Sequence, residues 1–139
     1  MNSNAEELVE FFKQRNTKCQ CIGDNIVAFW IKREKIENYQ VLIQFMDIKD
    51  TLMQTASVAV NLCKFPAEKI EAMYKICNKL NQHYAGVSFY VSENINTVRV
   101  SMVSFMLPGS VATNVYSDII TIVRIIDEAY PQIMKEIWS

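Results

Sequence analysis

Residues 66–107 read PAEKIEAMYKICNKLNQHYAGVSFYVSENINTVRVSMVSFML, and the hydrophobic period changes midway through them. Ile70, Met73, Tyr74, Cys77, Leu80 and Tyr84, with Asn81 completing the row, recur at steps of three and four and make one apolar stripe on a helix. Glu68, Lys69, Glu71, Lys75, Asn78, Lys79 and Gln82 take the other side, and Glu71 and Lys75 have the favourable i, i+4 spacing. Pro66 suits the first turn, where the N–H it lacks has no partner, and Gly86 can supply the positive φ of a helix end. The spacing predicts a helix over 67–84. Beyond it the period falls to two. Val87, Phe89 and Val91 alternate with Ser88, Tyr90 and Ser92; Val98, Val100 and Met102 alternate with Thr97, Arg99, Ser101 and Val103. The link Glu93-Asn94-Ile95-Asn96 has asparagines that accept left-handed turns, so the two runs read as an antiparallel hairpin with one side on a core. Leu80 and Phe89 are expected near the join, with Asn81 bonding backbone where helix meets hairpin.

Upstream, Ser3 and Glu6 have the Ser-x-x-Glu spacing of a capping box, and Ala5, Leu8, Val9 and Phe12 form a stripe flanked by Phe11. A helix is expected to run from there to about Arg15, with Glu6 and Glu7 complementing its N-terminal dipole. Lys18–Ile22, Ile26–Lys32, Tyr39–Phe45 and Thr51–Cys63 are β runs. Gly23-Asp24-Asn25, the charged connection Lys32-Arg33-Glu34-Lys35 leading to Asn38, and Asp47-Ile48-Lys49-Asp50 separate them. Ile26–Lys32 is apolar on both faces, the pattern of a central strand or one covered on both sides. Downstream, Pro108-Gly109 makes a turn and Ser110 is placed as an N-cap. The final helix carries Val111, Val115, Ile119, Ile122, Ile126 and Ala129 on one arc, with Ile120 and Ile125 on the flanks. Pro131 is expected to start or kink a last turn holding Ile133, Met134, Ile137 and Trp138. The order α-β-β-β-β-α-β-β-α, with about five to six antiparallel strands against helices and no βαβ crossover, is an α+β fold. Residues 1–139 are expected to form a single domain.

Composition narrows the function classes. The formal charge is −1 with neither sign clustered, which argues against the basic face of a nucleic-acid binder. The start Met1-Asn2-Ser3-Asn4-Ala5-Glu6-Glu7 lacks the basic and apolar regions of a signal peptide, and no apolar stretch approaches the ~20 residues of a membrane span. A cytoplasmic protein without membrane association is expected. The glycines, Gly23, Gly86 and Gly109, are isolated in turns, so no phosphate-cradling loop exists. His83 is the only histidine and falls beside Gln82 on the polar helix side, as a solvated residue rather than a general base. Cys19, Cys21, Cys63 and Cys77 lack the C-x₂₋₄-C spacing of a zinc site; they read as buried or half-buried free thiols, with no metal or cofactor.

Asn78-Lys79-Leu80-Asn81 running into Gly86-Val87-Ser88-Phe89-Tyr90-Val91, and then Val98-Arg99-Val100-Ser101-Met102, resembles the YbjN-type family. Its members are labelled bacterial sensory transduction regulators, and their fold resembles type III secretion chaperones. The resemblance extends over most of the chain in element order. It implies frequent dimers and no established catalytic residues, so it assigns no site residue here.

Trp30, Tyr39, Tyr90 and Phe105 could together form a ligand-binding sheet face; core or cross-strand packing is the favoured expectation. The surplus apolar residues of the last helix, Ile120, Ile125, Ile133 and Trp138, are the candidate interface, because exposed apolar patches mark contact sites. The leading expectation is a non-catalytic, homodimeric protein-interaction module, chaperone-like or regulatory, that holds an unidentified protein partner by a sheet face or edge. The alternative is a small-molecule-binding domain or enzyme with a pocket between sheet and helices.

Overall fold

The computed structural model describes residues 1–34 and 36–139. Its elements, in chain order, are α1 (Ser3–Gln14), β1 (Gln20–Ile22), β2 (Ile26–Ile31), β3 (Tyr39–Met46), β4 (Gln54–Lys64), α2 (Ile70–His83), β5 (Ser88–Ser92), β6 (Thr97–Met106) and α3 (Val111–Trp138). Single 3₁₀ turns at Ala67–Lys69 and Glu93–Ile95 lead into α2 and link β5 to β6. The α+β reading and its element order hold, but boundaries move. Lys18 and Cys19 precede β1, β4 starts at Gln54 rather than Thr51, and the connection containing Lys35 falls partly outside the described residues.

All six strands form one antiparallel sheet in the order β1-β2-β3-β4-β6-β5. The helix–hairpin unit of residues 66–107 therefore docks its second strand, β6, beside β4 and leaves β5 at the edge. The β4–β6 register shifts between Asn61 and Cys63, so β4 bends there as its length allows. Alternation decides the layering. Val27 and Phe29, Val41 and Ile43, Val58 and Val60, Val98 and Val100, and Phe89 share one face and are all buried.

The three helices lie side by side on that face. α1 contacts β2, α2 contacts β5, and α3 runs between them over β6 and β4. That middle position explains why α3 is so rich in isoleucine: it packs on the sheet below and on a helix at each side. Its buried positions Val115, Ile119, Ile122, Ile126, Ala129, Ile133 and Ile137 keep the helical step through Pro131, and the helix continues unbroken to Trp138.

Local details correct several sequence expectations. Asn2, not Ser3, caps α1; its Oδ1 accepts from the backbone N–H groups of Asn4 (2.8 Å) and Ala5 (3.1 Å). Ser110 makes no side-chain cap on α3. The carboxylate of Glu7, reaching across from α1, accepts from the N–H groups of Val111 (3.0 Å) and Ala112 (3.4 Å) instead. Glu7 thus serves the dipole of another helix than its own. On α2 the buried residues are Met73, Ile76, Cys77 and Leu80, so Ile76 belongs to the stripe and exposed Tyr74 does not. Tyr74 turns outward to donate its hydroxyl to Glu93, a bond that pushes the phenol up to about 12. Two positive-φ expectations hold: Gly86 (85°) ends α2, and Asn96 (46°) closes the hairpin link.

Candidate functional site

Asn81 joins helix to hairpin. Its Nδ2 donates to the carbonyl of Phe89 (2.9 Å) and its Oδ1 accepts from the Phe89 N–H (2.7 Å). Those backbone groups lie on the free edge of β5, where nothing in the sheet can pair them. The asparagine thus occupies the edge that another strand could otherwise use, and its role is structural.

The sheet face opposite the helices is open. Register places Ile26, Ala28 and Trp30 of β2, Leu42, Gln44 and Met46 of β3, Thr55, Ser57 and Ala59 of β4, Ser101, Val103 and Phe105 of β6, and Tyr90 of β5 on it. Trp30 is 62% exposed, Phe105 59% and Val103 54%, values far above those of a monomer's ordinary aromatic or aliphatic strand residue. Among the described strand residues the register puts two charged side chains on this face: Lys64, opposite Thr97 at one end of the sheet, and Arg99, which lies 5.5 Å from the ring of Tyr90. Of the four aromatics read as core or cross-strand residues, Tyr39, on the opposite face, is buried; Tyr90 pairs across strands with Arg99; and Trp30 and Phe105 are not core. For β2 the central-strand reading holds, since β1 and β3 flank it, while its outer face is left open at Trp30.

The four candidate interface residues of α3 do not come together. Ile133 is fully buried in the core of this chain. Ile125 is half-buried against that core, and Ile120 is exposed on the flank facing α1 and β2. Trp138, 81% exposed, stands at the far end of the helix beside a cleft of about 570 Å³ that wraps the end of the sheet and reaches Trp30.

Between α1, β2 and α3 runs a groove of about 530 Å³. Phe12, Phe29 and Ile119 form its buried floor, and Tyr116, Ile120, Arg33, Arg124 and Asp127 form its rim. Arg33 forms an ion pair with Asp127, a partnership the spacing of the sequence did not reveal. Glu128, its neighbour, accepts from the Tyr84 hydroxyl at 3.0 Å.

Reactive groups are dispersed or muted. Cys77 is buried, Cys19 and Cys63 are half-buried, and Cys21 is exposed, in departure from the expectation of four sheltered thiols. Burial pushes the Cys63 thiol up to about 12, aided by the nearby Cys77 and Glu37, and pushes Cys77 up to about 11. Both stay protonated near neutral pH and are poor nucleophiles. His83 is exposed, with its ring against that of Tyr84. Among the described residues no three His, Cys, Asp or Glu side chains gather at metal-binding distances, and no helix is long and apolar enough to cross a membrane.

A family model matches residues 4–133, nearly the whole chain. The chain belongs to the YbjN family. That family is described as a "putative bacterial sensory transduction regulator", a regulatory label rather than an enzymatic one. The match spans all six strands and most of α3, so the open sheet face and the α1–α3 groove both lie within the YbjN domain. A comparison with curated proteins finds no match.

Proposed function

We propose that this YbjN protein is a non-catalytic interaction module, regulatory or chaperone-like, that works in the cytoplasm as a homodimer and holds a protein partner. The observation that carries the reading is the open sheet face, with Trp30, Val103 and Phe105 more than half exposed and, among the described strand residues, only Arg99 and Lys64 charged. We assign that face to the second copy. Six strands about 4.8 Å apart, with central strands of eight residues or more, give a face of roughly 600 Å². Two copies stacked face to face would then bury roughly 1,200 Å², the size of a specific interface. A two-fold pairing brings the same patch to itself, and its charges are few: Arg99 beside the Tyr90 ring and Lys64 at one end of the sheet. Four free cysteines fit a reducing compartment.

The small-molecule alternative has less support, since the depressions between sheet and helices have buried, filled floors rather than enclosed cavities. Sedimentation velocity tests the dimer. Wild-type protein at tens of micromolar is expected to sediment as twice the 16.1 kDa chain, and the Phe105→Glu variant as a folded monomer. A monomeric wild type at that concentration, or a variant that dimerises equally well, contradicts the assignment.

A further inference from the structure

The chain has four arginines, and three of them, Arg15, Arg33 and Arg124, stand along one track on the helical side of the molecule. The α1–α3 groove runs, through shared Tyr116, Ile120 and Arg124, into a second depression of about 420 Å³ beside Arg15. Arg15 is held in place by two rings, its guanidinium 4.5 Å from the Phe11 centroid and 4.9 Å from that of Tyr116. Stacking of this kind fixes the plane of the fork and leaves its edge donors free for a carboxylate. Asp127, the one acid lining the track among the described residues, is already engaged by Arg33. The track is therefore cationic on a chain whose net charge is −1.

Its shape narrows the ligand. The lining runs along α3 from Ala112 to Asp127, a length of about 22 Å at 1.5 Å per residue. That is the reach of about seven residues of extended peptide. The floor is closed by buried side chains, so a compact small molecule would be left mostly in solvent, whereas an extended chain needs only a track.

We propose that this track binds an extended acidic segment of a partner protein, with its carboxylates on Arg15 and Arg124 and an apolar side chain on Ile120 and Tyr116. Recognition of acidic motifs by arginine clusters provides the chemistry. The track lies on the helical side of the sheet and meets the face assigned to self-association only at Trp30, while Val103 and Phe105 stand apart from it, so the Phe105→Glu variant lets the two proposals fail separately.

Selection from a phage library of random dodecapeptides tests it. Peptides enriched on the wild-type protein are expected to exceed the library in Asp and Glu, interspersed with apolar residues. By fluorescence anisotropy, a selected peptide is expected to bind at least about tenfold more weakly to Arg124→Glu and to Ile120→Glu, both changes at exposed positions, and to weaken as salt is raised. Its affinity for Phe105→Glu should be unchanged, and circular dichroism checks that each variant is folded. Peptides no more acidic than the library, or equal affinity for the two groove variants, would overturn the proposal. So would a screen that yields no peptide while sodium dodecanoate binds the groove, which would assign it to a lipid-like acid.

Discussion

Replacing Asn81 by alanine removes both bonds that tie α2 to the edge strand and leaves the N–H and C=O of Phe89 without protein partners. Each such bond contributes about 0.5–1.5 kcal/mol net, so the pair contributes roughly 1–3 kcal/mol. Asn81 is itself exposed, and water can reach the freed groups, which places the loss in the lower part of that range, about 1–2 kcal/mol. For a domain of this size that corresponds to a fall in Tm of roughly 3–6 °C. Urea denaturation of wild type and Asn81→Ala, fitted with a common m value, measures it, and amide hydrogen exchange should show faster exchange at Phe89. Asn81→Asp keeps the acceptor and loses the donor, so it should fall between the two proteins. A midpoint unchanged by Asn81→Ala, with Phe89 protected as before, would refute the idea that this asparagine holds the edge strand.

Other consequences are equally direct. Leu80→Ala empties a buried site at the helix–hairpin join and should cost about 2–5 kcal/mol in chemical denaturation; an unchanged midpoint would mean the helix face is wrong. Glu7→Gln weakens the charge that caps α3 from α1 and should cost roughly 0.5–2 kcal/mol, visible as a lower urea midpoint; no loss would show that solvent caps that helix equally well. Folding keeps the thiols of Cys63 and Cys77 protonated where an unfolded chain, with thiols near 9.0, releases its protons. Their contribution to stability is therefore intact below about pH 9 and declines from there toward pH 12; a Cys63→Ser, Cys77→Ser double variant should show a shallower alkaline decline. A native thiol titration at pH 8 should find Cys21 fast and Cys77 slow, and equal rates would contradict their placement.

Period carried most of the fold. The switch from 3.6 to 2 at Gly86 located α2 and the hairpin, and the asparagine ending the helix was legible because its row pointed at the join. What period cannot tell is which face of a strand is covered. Val98 and Val100 face the helices while Val103 and Phe105 face outward, and nothing in a residue's apolarity records the difference. For Trp30 and Phe105 the apolarity alone leaves core packing and an open sheet face indistinguishable, and the register decides for the open face. Part of the surplus of isoleucine on α3 is spent inside the chain, since α1 and α2 lie on either side: Ile133 is core and Ile125 packs half-buried against it, while Ile120 stays exposed. Glu7 at the start of α3 and Arg33 with Asp127 are contacts across about a hundred residues of sequence, which no local spacing encodes.

The proposal that the open sheet face is closed by a second copy can be read from one tryptophan. In a Trp138→Phe background Trp30 is the only indole, and it stands 62% exposed in the single chain. Its emission should shift to shorter wavelength, and its quenching by acrylamide should fall, as the protein is concentrated from well below one micromolar to tens of micromolar. A spectrum and a quenching constant that stay those of a solvated indole across that range would contradict the account.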